Sequence, residues 1–120
     1  MRFYTFEWNA KRRAKRLTKV LKAHGRDVSY IGCLDLMARL YGFAHFADLK
    51  NSIWNGPLSA FDEDVDDNTL EHRFLYQERV MAEAGVGDIA GVVLDQVDPT
   101  GRGHRATPFD DELSAPAKQA

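Results

Sequence analysis

DVSYIGCLDLMARLYG, residues 27–42, sets nine apolar or aromatic residues between Ser29 and Gly42. They are Tyr30, Ile31, Cys33, Leu34, Leu36, Met37, Ala38, Leu40 and Tyr41. At helical spacing they cover most of a circumference and leave Gly32, Asp35 and Arg39 as the polar strip. Ser29 is an N-cap residue, Gly42 a terminator, and Asp35 with Arg39 makes a favourable i,i+4 pair. A helix this apolar belongs at the centre of a fold, packed on several sides.

Upstream, NAKRRAKRLTKVLKAHG (9–25) predicts a second amphipathic helix, opened by Asn9 as N-cap and closed by Gly25. Ala10, Ala14, Leu17, Val20, Leu21 and His24 fall on one side. Lys11, Arg12, Lys15, Arg16, Lys19 and Lys22 fall on the other, with Arg13 near the apolar edge. Before it, MRFYTFEW is open between a short strand and an irregular lead-in.

Downstream, FAHFADLKNSIW (43–54) predicts a third helix with Phe43, Phe46, Leu49, Ile53 and Trp54 inward, ended by Gly56-Pro57. The acidic connection LSAFDEDVDD leads to a fourth, from Asp67 or Asn68 to Gly85, with Leu70, Phe74, Met81 and Ala84 as its inner row. Residues 86–97 read as helix or strand. Helix is preferred, with Asp88 as cap, because no convincing second strand is present to pair with it. The expected fold class is all-α, a compact bundle of four to five short helices. Residues 1–98 form a single domain, and 99–120, rich in Pro, Gly, charge and small residues, form a flexible, disordered tail.

A chain of 120 residues, 44% hydrophobic and 28% charged, suits one small globular domain. The lone Cys33 excludes an intramolecular disulfide and fits a reducing compartment. No signal-like run and no long apolar span is visible, so the expectation is a cytoplasmic protein without a membrane partner. The net charge of −2 conceals a polarity: residues 1–57 carry eleven Lys/Arg against four acids, and residues 58–120 five against fourteen. Such asymmetry implies two surfaces with different partners, or halves that neutralise each other within one chain or by self-association.

Leu17, Leu21 and Gly25, then Ser29, Leu34, Leu36 and Ala38, then Gly42, Phe43, Phe46 and Leu49 form a recognisable series. Over residues 14–50 the chain resembles a small helical domain of short bacterial proteins from plasmids and other mobile elements, often labelled glyoxalase-related. Phe46 stands where that pattern has Trp. The resemblance implies a helical fold and a mobile-element setting. The glyoxalase activity in the label would need a metal held by His and Glu on paired βαβββ units, and few strands are visible here.

His24, His45, His72 and His104 are scattered, without the spacing of a zinc site, and His24 reads as a packed or capping histidine. Cys33 reads as a buried, inert thiol. Asp62, Asp64 and Asp66 alternate as Ca²⁺ ligands can, but lack the glycine and closing glutamate of an EF-hand. No catalytic residue, cofactor or metal is therefore assigned, and the expectation is a non-enzymatic protein. Ala38 and Gly42 fit a helix-turn-helix pattern, yet the next apolar residue, Leu49, comes one late. The would-be reading helix offers Asp48, Lys50 and Asn51.

The candidate site is thus the basic face: Lys11, Arg12, Lys15, Arg16, Lys19 and Lys22. Between Asn9 and Gly25 no acid balances it, although a purely solvated helix gains from i,i+4 Glu–Lys pairs. The expected partner is an acidic protein surface, with a nucleic-acid backbone as the alternative. Asp62, Glu63, Asp64, Asp66 and Asp67 are a candidate second, acidic surface.

Overall fold

The structure, a computed structural model, describes residues 1–52 and 57–102. Five α-helices follow in order: α1 (Glu7–Ala23), α2 (Tyr30–Leu40), α3 (Phe46–Ser52), α4 (Asp67–Glu83) and α5 (Ala90–Val97). Short 3₁₀ turns at Asp62–Asp64 and Gly87–Ile89 precede α4 and α5. No strand forms among the described residues, so the all-α expectation holds, and the segment read as helix or strand is helical from Gly87 to Val97. No helix is long and apolar enough to cross a membrane among them.

α2 sits at the centre, against α1, α3 and α4. Ser29 caps it, its Oγ accepting from the Gly32 N–H at 3.0 Å. α1 lies along α2 and also touches α5, burying Ala10, Ala14, Leu17, Val20 and Leu21 as the periodicity predicts. Both helices end with a glycine at positive φ, Gly25 at 79° and Gly42 at 92°. In each case the following N–H closes the last turn, Arg26 N–H to Leu21 O and Phe43 N–H to Ala38 O. At Gly42 space matters as much as φ: a Cβ there would stand 1.7 Å from the Met1 carbonyl oxygen. That close approach lets residues 1–5 cross the end of α2. Phe3 N–H donates to Tyr41 O, and the buried Phe3 ring stacks on Tyr41 at 5.1 Å. The opening segment is an irregular lead-in that contributes to the core.

Several expectations need correction. Asn9 does not cap α1. The helix begins two residues earlier, and buried Asn9 donates to Thr5 Oγ1 at 2.9 Å from inside the first turn. Of the two readings of His24, packed or capping, the structure has the second: it is the exposed C-cap of α1. Asp35 and Arg39 serve other helices instead of each other. Asp35 accepts from the Phe46 N–H at the start of α3, and Arg39 reaches Glu83 on α4. α3 starts only at Phe46, although Phe43 before it and Leu49 within it are buried. Ile53, Trp54 and Gly56 lie outside the described residues. Asp88 does not cap α5 and instead pairs with Arg26.

α4 starts at Asp67 as expected and ends at Glu83, two residues before Gly85, but presents a different face. Met81 is buried, whereas Leu70 and Phe74 are 38% and 43% exposed and Ala84 faces solvent. The inward residues are Gln77, Val80 and Met81, flanked by half-buried Arg73 and Tyr76. The cause is a polar network on which α4 settles. Gln77 Nε2 donates to Thr100 Oγ1, Thr100 donates to Asp62, and Arg73 Nη1 pairs with Asp62 at 2.9 Å. The domain boundary at residue 98 is therefore drawn too early, since Thr100 is fully buried and Pro99 accepts from the Tyr41 hydroxyl at 2.7 Å. The rest of the expected tail, 103–120, lies outside the described residues.

Candidate functional site

α1 divides its cations between two tasks. Arg13 points into the protein and is 7% exposed. Its guanidinium donates to Val97 O at 2.9 Å, to Asp98 O and to Gly101 O at 3.0 Å, with Asn9 Oδ1 at 3.4 Å from Nε. Those are carbonyls at and beyond the C-terminus of α5, where orphan acceptors and the helix dipole favour a cation. Arg13 thus locks α1 to α5 and is lost to any external partner. Arg16, one of the predicted site residues, is half-buried beside it. Burial first, then the neighbouring Arg13 charge, pull its guanidinium below the ordinary value, while Asp98 opposes them.

Arg12, Lys15, Lys19 and Lys22 are exposed. So is Lys11, whose Nζ meets Glu7 Oε2 at 2.9 Å. That pair lowers the Glu7 carboxyl and raises the Lys11 ammonium relative to their ordinary values. It is a local balance invisible when the helix is taken to start at Asn9. Trp8, 61% exposed, lies on the same stripe as the cations. Residues 8, 12, 15, 19 and 22 fall within about 80° of arc and about 21 Å of length at 100° and 1.5 Å per residue. Phe6, 46% exposed, stacks on Trp8 with centroids 6.1 Å apart and planes 15° from parallel. The face is a row of cations ending in an exposed aromatic pair, on a helix whose opposite side is fixed in the core.

The repulsion along this row is not relieved by the acidic loop of the same chain. Asp62 engages Arg73 and Thr100, Glu63 accepts from the Arg102 N–H at 2.9 Å, and Asp64 pairs with Arg102. Asp66 caps α4 by accepting from the Thr69 N–H; the Thr69 hydroxyl first, then that N–H, hold its carboxyl low, and Asp67 occupies the first turn. Four of the five carboxylates assigned to a second surface thus have structural duties at the junction of the loop, α4 and residues 100–102. Among the described residues no three His, Cys, Asp or Glu side chains converge as a metal site would require.

α3 has only seven residues, and Lys50 lies over the Phe46 ring at 5.9 Å. Asp48, exposed beside Lys50 and Asn51, sets a negative charge where a base-reading helix needs donors. Cys33 is buried and its thiol is pushed up by burial, the reverse of a reactive thiolate.

Trp8 and Phe6 are exposed candidates beside the basic row that the sequence reading passed over. Trp8 belongs to the spacing of the basic stripe, but placing the helix start at Asn9 set it outside the helix.

Comparison with known protein-family models, characterised proteins and solved structures returns no match.

Proposed function

We propose that this is a small non-enzymatic interaction protein of regulatory role, which docks on an acidic protein surface through the exposed face of α1. The observation that carries this reading is the Phe6–Trp8 pair in register with Arg12, Lys15, Lys19 and Lys22. Charge steers association, but affinity at protein interfaces comes mainly from desolvated aromatic anchors. The face carries both, on a helix already ordered by its core contacts, so binding costs little conformational entropy. A bacterial mobile-element setting follows from the resemblance of residues 14–50 alone.

The same cations could instead contact phosphates, and the test separates the two. Wild-type protein and the Lys15→Glu/Lys19→Glu variant are used to capture partners from host cells after nuclease treatment, with titration of random-sequence duplex DNA in parallel. The docking reading expects a partner with an acidic surface, lost in the charge-reversed variant and weakened by Trp8→Ala by about thirtyfold, the effect of an interface hot spot. A phosphate-binding helix would instead bind duplex DNA with a log–log salt slope near −3.6, for about four released counterions. Recovery of the same partners by the charge-reversed variant removes the docking reading.

A further inference from the structure

The face that α4 turns outward meets α5 across an open groove of about 550 Å³. Phe74 and Val92, both 43% exposed, stand on its walls, with Leu94 and Pro99 behind them. Gly91, with no atom within 4 Å of a Cβ position, leaves the α5 side open. The groove is open to solvent, and Asp62, Gln77, Asp95 and Asp98 complete its lining. Leu70, one turn before Phe74, extends the apolar strip along α4.

Charge on this strip has one sign. Glu71 and Glu78 flank Phe74 at i−3 and i+4, Asp67 precedes them by one turn, and exposed Asp95 lies one turn after Val92. No Lys or Arg occupies 67, 70, 71, 74 or 78 on α4, or 91, 92 or 95 on α5. The groove therefore calls for a cationic element with an exposed apolar anchor. This chain displays such an element: the Phe6–Trp8 pair and the cations that follow it on α1.

We infer that the α4–α5 groove is a docking site for the Phe6–Trp8 end of α1 of a second copy of this chain. The aromatic pair enters between Phe74 and Val92, and Arg12 and Lys15 meet the carboxylates of α4 and α5. Both surfaces are on every chain, so one contact type builds either a closed pair or an open, concentration-dependent series. The inference uses the α1 face of the proposed function but not its external partner, and the two fail separately. Phe74→Lys removes self-association and leaves docking on another protein intact.

The test is sedimentation equilibrium of the full chain across a concentration series at low and physiological salt. Phe74→Lys and Trp8→Glu, both at exposed positions, are checked for unchanged far-UV circular dichroism and thermal midpoint. Wild type is expected to associate, more tightly at low salt. Each variant alone is expected to weaken association by at least about thirtyfold, the effect of losing one anchor. An equimolar mixture of the two, one keeping α1 and the other the groove, is expected to restore a heterodimer. A wild type that stays monomeric at low salt overturns the inference. So does a mixture that fails to recover association, because the two surfaces would then not be each other's partners.

Discussion

Replacing Arg13 with Met keeps most of the buried stem and removes the guanidinium that joins α1 to the end of α5. The lost contacts are charge-assisted hydrogen bonds to three carbonyls, Val97 O, Asp98 O and Gly101 O. Such bonds contribute about 1.5–3 kcal/mol each, and a simple sum would reach roughly 5–9 kcal/mol. They share one group, and water can enter when it is removed, so the expected loss is about 3–5 kcal/mol, comparable to breaking a buried ion pair. Against the usual 5–15 kcal/mol of a small domain this is a large share of the total. Urea unfolding followed by circular dichroism would read it as a midpoint lowered by about 2 M, taking a slope of about 2 kcal/mol per M. Arg12→Met is the control, since its exposed neighbouring side chain should stay within about 0.5 kcal/mol of wild type. Arg13→Lys, retaining charge but not the three-way fork, should fall between them. A loss below about 1 kcal/mol for Arg13→Met would show that the three carbonyls find other partners, and that Arg13 is not the clasp between the helices.

Other perturbations test separate parts of the same structure. Gly42→Ala places a methyl against the Met1 carbonyl and imposes a φ of 92° on an L residue, so the N-terminal segment must lift from Tyr41. A loss of about 2 kcal/mol or more in unfolding is expected, with a weakened near-UV circular dichroism signal as the Phe3–Tyr41 stack is lost. Cys33 should react with a thiol reagent only as fast as the protein opens, because it is buried and its thiol is pushed up by burial. Labelling at the rate of a free thiol would contradict its placement in α2. The pH profile has two arms. Glu7, Asp66 and Asp88 have native pKa values below their ordinary 4.5, 3.8 and 3.8, so their contribution is present above those values and lost as pH falls through the lower native ones. Tyr41 is shifted upward, chiefly by burial, so its contribution is complete below about 10 and lost as pH rises beyond it. Thermal midpoints across pH should fall on both sides, and the alkaline decline should shrink in Tyr41→Phe.

The central helix was legible because its signals are local. Ser29 and Gly42 act within one turn of their own positions, and the apolar residues between them need no knowledge of what they touch. The inner side of α4 was not, because its apolar residues lie on two faces and the choice between them is made elsewhere. Leu70 and Phe74 look like a core row, yet the buried side is the one where Gln77 meets Thr100 and Arg73 meets Asp62. Those contacts join residues that a pattern of apolar periodicity counts as polar. Arg13 shows the same limit: its place near the apolar edge was visible, but the carbonyls that justify burying it lie 84 or more positions along the chain. For the candidate site, the cations were evident from composition and spacing. The aromatic anchor was hidden by a helix start two residues early, since α1 begins at Glu7 without a side-chain cap.

The docking reading rests on α1 having a partner in the cell, and site-specific photocrosslinking reads that contact directly. A photoreactive residue in place of Lys15 lies on the stripe between Arg12 and Lys19, and one in place of Ala84, exposed beyond the end of α4, serves as the control. The account predicts a crosslink from position 15 to a protein with an acidic surface, absent from position 84 and abolished by Trp8→Ala with Lys19→Glu. Crosslinks from position 15 to nucleic acid alone, or a protein crosslink that survives those substitutions, would contradict it.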